Sequence, residues 1–389
     1  MRQTAMKRTV VIFAPLLIGA LALSGCSKKK STTGSSKATY TIGYQGPLSG
    51  DNAQLGINMD NGVKLAIEQA NATGTLPFTL AFADSDDVGD PSKSPAAAQK
   101  LIDQSNLVAV VGPAFSGATA AAEPKFSDAS LISVSPSATR ADLTHSGFKT
   151  FYRVVTGDTI QGAQMADYVA KVLKSKSAYL IDDKSAYGAG LLKFVKAELT
   201  TNGVTIGSES IAPTKVYSTI ATKAVSSKAD TIVYGGYYAE LALLAKALKT
   251  AGFTGNLISG DGSKDDQLVK QGGTAAEGIY LTCPCGSTTK STAQTKFDTD
   301  YKAKFGVDSG TYSAEAYDAT NTIIAAMKTL TGTITRDALA AAFKGITFEG
   351  ITHSIKFDAD GEGGTGDIFA FQVKSGKIEQ LGKISDLAK

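Results

Sequence analysis

From residue 39 onward, short apolar runs alternate with longer stretches whose apolar residues recur every three or four positions. The runs "YTIGYQG" (40–46), "FTLAFAD" (78–84), "LVAVVG" (107–112) and "LISVSP" (131–136) read as strands. Between the first two, Leu55, Met59, Val63, Ile67 and Ala70 fall on one face of a predicted helix. The theme returns in "SAYLID" (177–182), "VTIGSES" (204–210), "TIVYGG" (231–236) and "NLISG" (256–260), with Leu241, Leu244, Ala245 and Leu248 marking a helix between the last two. Strands alternating with helices predict parallel sheets covered on both faces, and two such series predict two doubly wound α/β domains. Past residue 290 the alternation lapses. Helices are expected near 291–304, 314–330 and 335–343, and "HSIKFDADGEGGTGDIFAFQV" then reads as a β-hairpin about a glycine-rich turn.

The first 38 residues follow another pattern. Arg2, Lys7 and Arg8 precede an apolar run from Val10 to Leu23 broken only by Pro15 and Gly19. That run is short of the ~20 residues a membrane span needs, and a charged start with a short apolar middle describes an export signal. Its ending, Leu23-Ser24-Gly25-Cys26, resembles the lipobox of bacterial lipoproteins. The resemblance implies cleavage after Gly25 and lipid on Cys26, which anchors a protein without spanning the bilayer; an ordinary signal with a chance cysteine is the alternative. Residues 27–38, "SKKKSTTGSSKA", read as a flexible tether whose lysines suit anionic headgroups. No second apolar segment is long enough to span a membrane.

Composition changes this picture little. The 389 residues suit two domains of ~100–200 each, and 43% hydrophobic with 19% charged residues is ordinary for a globular protein. Forty glycines and fourteen tyrosines, with no tryptophan, suggest tight turns and aromatic pocket walls. The formal charge of +3 comes from the signal segment: without residues 1–25 the chain carries 36 basic and 36 acidic residues, which removes the support for a nucleic-acid partner.

Ligands of doubly wound sheets bind beyond the carboxyl ends of the strands. There "VVGPAFSGAT" places Ser116 past a strand at an expected helix start, and "SVSPSATRADLT" places Ser137 and Thr139 in the same setting. Tyr187 follows "YLIDD", Tyr237 follows "IVYGG" and Asp261 follows "LISG". Each admits a plainer role: Ser116 as an N-cap, Thr139 with Asp142 as a capping pair, the tyrosines as core, Asp261 as a turn residue. The readings are compatible, because a helix start offers free N–H groups and a positive dipole end to a carboxylate. Hydroxyls, one acid and two aromatics at the same end of both sheets favour a binding site.

Six stretches, "IGYQGPLSG", "VVGPAFSGAT", "ISVSPSATRADLT", "IDDKSAYGAGL", "VYGGYYAEL" and "AAEGIYLT", resemble the branched-chain amino-acid (Leu/Ile/Val) binding proteins of ABC transporters, of the type I periplasmic binding protein class. The resemblance covers residue 39 to the C-terminus. It implies two Rossmann-like lobes, 39–153 with 286–365 and 158–281 with 368–389, joined by three crossovers at 154–157, 282–285 and 366–367. It further implies an α-carboxylate clamp at Ser116 and Thr139, ammonium acceptors at the Ser137 carbonyl, the Thr139 hydroxyl and Asp261, and aromatic walls at Tyr187, Tyr237 and Tyr312. Ala138 and Gly262 belong to the same site, as does Leu55. Three departures stand out. Asp261 replaces the glutamate usual in leucine-type members, Leu55 stands where several put a tryptophan, and Gly89 and Phe115 occupy the places of a disulfide found in some.

Cys283-Pro284-Cys285 is too sparse for a zinc site, with only His145 and His353 elsewhere. A disulfide stiffening a crossover and two free thiols are both open readings. "GEGGTG" (361–366) precedes a strand rather than a helix, and Phe369 stands where the half-matched calcium loop from Asp358 needs glutamate, so neither motif holds. The expectation is therefore an exported, lipid-anchored, monomeric receptor without cofactor or metal, which closes two lobes on a small apolar amino acid and hands it to an ABC permease. Amides, urea or aromatic acids as ligands of the same fold, or a ligand sensor, are the alternatives. A hydrolase with Ser116 as nucleophile lacks a base, because neither histidine sits in a strand-end loop of matching order.

Overall fold

The computed structural model describes residues 37–287 and 291–389. The expected signal, Cys26 and the tether up to residue 36 lie outside them.

The chain first builds β1 (Thr39–Gly46), α1 (Ala53–Ala72), β2 (Thr79–Asp86), α2 (Ser94–Ile102), β3 (Leu107–Val111), α3 (Ser116–Asp128), β4 (Ile132–Ser135) and β5 (Phe151–Arg153). These strands form one parallel sheet in the order β2-β1-β3-β4-β5. It then crosses into α4 (Asp158–Asp167), β6 (Ser177–Asp182), α5 (Ala186–Thr201), β7 (Thr205–Ser210), α6 (Ser218–Ser226), β8 (Thr231–Gly235), α7 (Tyr238–Thr250), β9 (Asn256–Ser259), α8 (Asp266–Gly272) and β10 (Tyr280–Cys283). A return crossing adds α9 (Thr292–Phe305), α10 (Ser313–Thr329) and α11 (Arg336–Phe343) to the first lobe, where α9 and α10 pack on α1. A small hairpin of β11 (Thr347–Glu349) and β12 (Ser354–Lys356) follows. The third crossing delivers β13 (Phe369–Lys374), β14 (Lys377–Lys383) and α12 (Ile384–Leu387). The second sheet runs β14-β13-β10-β9-β8-β6-β7, parallel except for β13 and β14.

Both sheets are covered by helices on each face, so central strands bury every residue. "LVAVV" of β3 and "TIVYG" of β8 are buried throughout, which is why they read as continuous rather than alternating runs. The two doubly wound lobes and three crossings match the expected fold class. No helix among the described residues is long and apolar enough to cross a membrane.

Three expectations need correction. Residues 354–373 are not a hairpin, since β12 pairs with β11 and β13 pairs with β10 and β14. The glycine-rich stretch between them is instead a crossing laid against the first one: Gly364 comes so close that a Cβ would lie 2.5 Å from the Thr156 amide. At Gly364 a side chain is excluded by backbone, whereas Gly361 and Gly366 turn with positive φ. Residues 139–146 form turns rather than a helix, with the Thr139 carbonyl taken by the Asp158 amide at 2.7 Å. The short strand β5 escaped notice because "FYR" carries no readable period.

Arg153 ties the crossings to the loop after β4. Its guanidinium donates to the carbonyls of Ala138 at 3.2 Å and Arg140 at 2.7 Å, on either side of Thr139, and pairs with Glu362 of the third crossing. Cys283 and Cys285, at the second crossing, are joined by a disulfide.

Candidate functional site

Loops beyond the carboxyl ends of β3, β4, β6, β8 and β9 meet at one small cavity between the lobes. From the first lobe it takes Leu55 and Met59 of α1, Ala114 to Ser116 after β3, Ser137 after β4, and Tyr312 before α10. From the second it takes Tyr187, Tyr237, Asp261 and Gly262. Of the residues singled out in the sequence, Ala138 and Thr139 are buried just outside this lining.

Ser116 is the first residue of α3 and caps nothing in its own helix; Phe115 holds the cap position in extended backbone. Its hydroxyl oxygen accepts the Arg140 amide at 3.3 Å, leaving its proton free to donate. The amides at the start of α3 offer a positive helix end to the cleft. Ser137 spends its hydroxyl on the Ala114 carbonyl at 2.7 Å, and the Ala138 amide donates to Ser135 at 3.0 Å, so the loop is rigidly laced. The Thr139 hydroxyl is buried and makes no well-formed hydrogen bond, its nearest acceptor being the Asp158 carboxyl. An unmet buried group of this kind costs ~1–3 kcal/mol, which a bound polar ligand would recover.

Asp261 is the hub of the opposite wall. One carboxylate oxygen accepts Gln161 at 2.7 Å and the Tyr187 hydroxyl at 2.8 Å; the other accepts the Tyr312 hydroxyl at 2.7 Å. Tyr312 belongs to the first lobe, so this bond spans the cleft. The Gly262 amide donates to the Tyr187 hydroxyl at 3.0 Å and fixes that ring. Burial raises the Asp261 carboxyl above the usual range, opposed by its three side-chain donors. Tyr312 sits in left-handed backbone at φ 66°, a conformation uncommon for a non-glycine residue and frequent at functional sites.

Sequence reasoning missed Asp158, Gln161 and Met59, and noted Phe115 only for not being cysteine. Asp158, the first residue of α4, is wholly buried, and neither carboxylate oxygen makes a well-formed hydrogen bond. Burial, reinforced by the charge of Asp261, pushes it up to about 8; the Thr139 hydroxyl and the Arg153 charge oppose that only in part. The Phe115 ring stacks on Tyr237 from the other lobe, centroids 4.3 Å apart and planes at 21°. Only a signal linking α4 to the loop after β9 could have brought Asp158 and Gln161 to Asp261. No cluster of His, Cys, Asp or Glu among the described residues is arranged to hold a metal ion.

Hydroxyls and helix-start amides on one wall, buried acids on the other and an apolar floor suit a zwitterion with an aliphatic side chain. A "Leu/Ile/Val-binding protein homolog 3" of Brucella melitensis is 31% identical over 360 residues, covering 90% of this chain and 96% of that one. A leucine-, isoleucine-, valine-, threonine- and alanine-binding protein of Pseudomonas aeruginosa is 29% identical over 83% of this chain and 87% of its own. A branched-chain amino acid transporter substrate-binding protein from Streptococcus pneumoniae, solved with isoleucine, superposes with a TM-score of 0.81 at 28% identity, covering 88% of this chain and 99% of that one. The model of the periplasmic binding protein family matches residues 39–377, and the chain belongs to that family.

Proposed function

We propose that the protein captures a branched-chain amino acid between its lobes and delivers it to an ABC permease. The observation that carries this is the free proton of Ser116 on one wall of the cavity with the buried Asp261 on the other, backed just outside the lining by the neighbouring Thr139 hydroxyl and the buried Asp158. In this reading the donors hold the α-carboxylate and the acids hold the ammonium. The Ser137 carbonyl and the Ala138 and Gly262 backbone complete the polar shell. Leu55, Met59 and the Tyr187, Tyr237 and Tyr312 rings enclose the side chain. Binding needs no catalysis: fixed dipoles and charges replace water around the two ionic groups, and a ligand touching both lobes stabilises their approach.

Lobes of 39–153 with 286–365 and 158–281 with 368–389, turning about 154–157, 282–285 and 366–367, fit the three crossings of the chain. The export signal and Cys26 lead us to place the protein outside the cytoplasmic membrane, held there by lipid as a monomer beside its permease. Cys26→Ser should then move the protein from the membrane to the soluble fraction.

A thermal-shift panel of amino acids, amides and aromatic acids tests the ligand class. A true ligand at 100 times its dissociation constant adds ~2.7 kcal/mol of stability. Leucine, isoleucine or valine should raise the melting temperature, whereas a response only to amides or benzoate-like acids would overturn the amino-acid reading.

A further inference from the structure

Resting on that reading, we infer that Phe115 sets the size limit of the ligand side chain, so that the cleft takes aliphatic side chains up to that of leucine and turns away aromatic ones. Ser116, Ser137 and Asp261 are the serine and acid members of the cavity lining; Leu55, Met59 and Phe115 are among its apolar members from the first lobe. Leu55 and Met59 are core residues of α1, 2% and 0% exposed, and close packing leaves them no room to retreat. Phe115 is held differently. It projects from the loop after β3, and its ring lies between Tyr237 on one side and Gly89 on the other.

Gly89 is what lets the ring sit there. A Cβ at residue 89 would fall 2.6 Å from Phe115 Cδ2, and the backbone at 89 has φ 74°, where side chains are strained. The ring can neither recede into its own lobe nor advance past Tyr237. A bulkier ligand must displace an aromatic contact that also bridges the lobes, so size is refused at the point where closure is made.

The test is the ratio of phenylalanine to leucine affinity, measured by titration calorimetry on the mature protein, wild type and Phe115→Ala. Wild type should prefer leucine. Phe115→Ala should weaken leucine and move the ratio at least tenfold toward phenylalanine. Phe115→Leu, which keeps most of the packing, should move it in the same direction by less, and carries the test alone if the alanine variant does not fold. A Phe115 variant that is folded and binds leucine, with its ratio within twofold of wild type, overturns the size limit and leaves the amino-acid reading intact. A wild type that binds no α-amino acid overturns both.

Discussion

Asp158 holds its proton at neutral pH because burial and the neighbouring charge of Asp261 both oppose ionisation, placing its carboxyl at about 8. An ammonium brought into the cleft favours the ionised form and lowers that value. Below about pH 8, then, ligand binding expels a proton, and affinity weakens as pH falls away from 8 toward the lower value of the bound state. Calorimetry with leucine at pH 7 in phosphate and in Tris, whose ionisation heats differ, should show release of about one proton per ligand. Asp158→Asn should abolish the release, and equal heats in the two buffers for wild type would remove Asp158 from the ammonium site. The two acids differ in how legible they were. Asp261 directly follows a strand and could be read as a strand-end acid, whereas Asp158 follows a crossing and meets Asp261 only because α4 docks beside β10. Phe115 had a readable position but no readable role, because its partners Gly89 and Tyr237 come from separate loops, one of them in the other lobe.

Two helices that lack side-chain caps of their own supply each other's across the cleft. The Asn52 side chain does nothing for α1, which it precedes, but accepts the Ala239 amide of α7 at 3.2 Å and donates to Glu240 at 3.0 Å. In return the Tyr238 hydroxyl accepts the Gln54 amide of α1 at 3.2 Å. A fourth bond joins Asn58 of α1 to Asp265, the N-cap of α8, at 3.0 Å. An N-cap contributes ~1 kcal/mol, and here it exists only while the lobes touch. Asn52→Ala should therefore weaken ligand binding about fivefold without contacting the ligand, while leaving the melting temperature of the free protein within a few degrees. Unchanged affinity in calorimetry would show that closure does not draw on these caps. Elements themselves were largely legible in sequence: strands buried on both faces announced β3, β4 and β8, and the 3.6-residue period announced α1 and α7. The failures were local. The turn at 139–146 carries capping-type residues that cap no helix, Asp142 pairing with Arg140 inside the turn, and Gly364 serves a close backbone approach that looks like part of a hairpin turn in one dimension.

At the scale of the whole molecule, the fold brings two incomplete half-sites together. Donors at the start of α3 and after β4 belong to one sheet, acids after β9 and at the start of α4 to the other, and Arg153 with Glu362 links the donor loop to the crossings about which the lobes are joined. On the proposed reading neither half alone matches both charges of an amino acid, so capture and closure would be one event. The most direct measurement is titration calorimetry of the mature protein with L-leucine and with 4-methylpentanoate, its analogue without the ammonium, on wild type and Asp261→Asn. Removing one member of a buried charge pair costs ~2–5 kcal/mol, so leucine should bind wild type one to one and Asp261→Asn at least about thirtyfold more weakly, with the analogue little affected. Leucine binding to Asp261→Asn as tightly as to wild type would contradict capture of a zwitterion between the lobes.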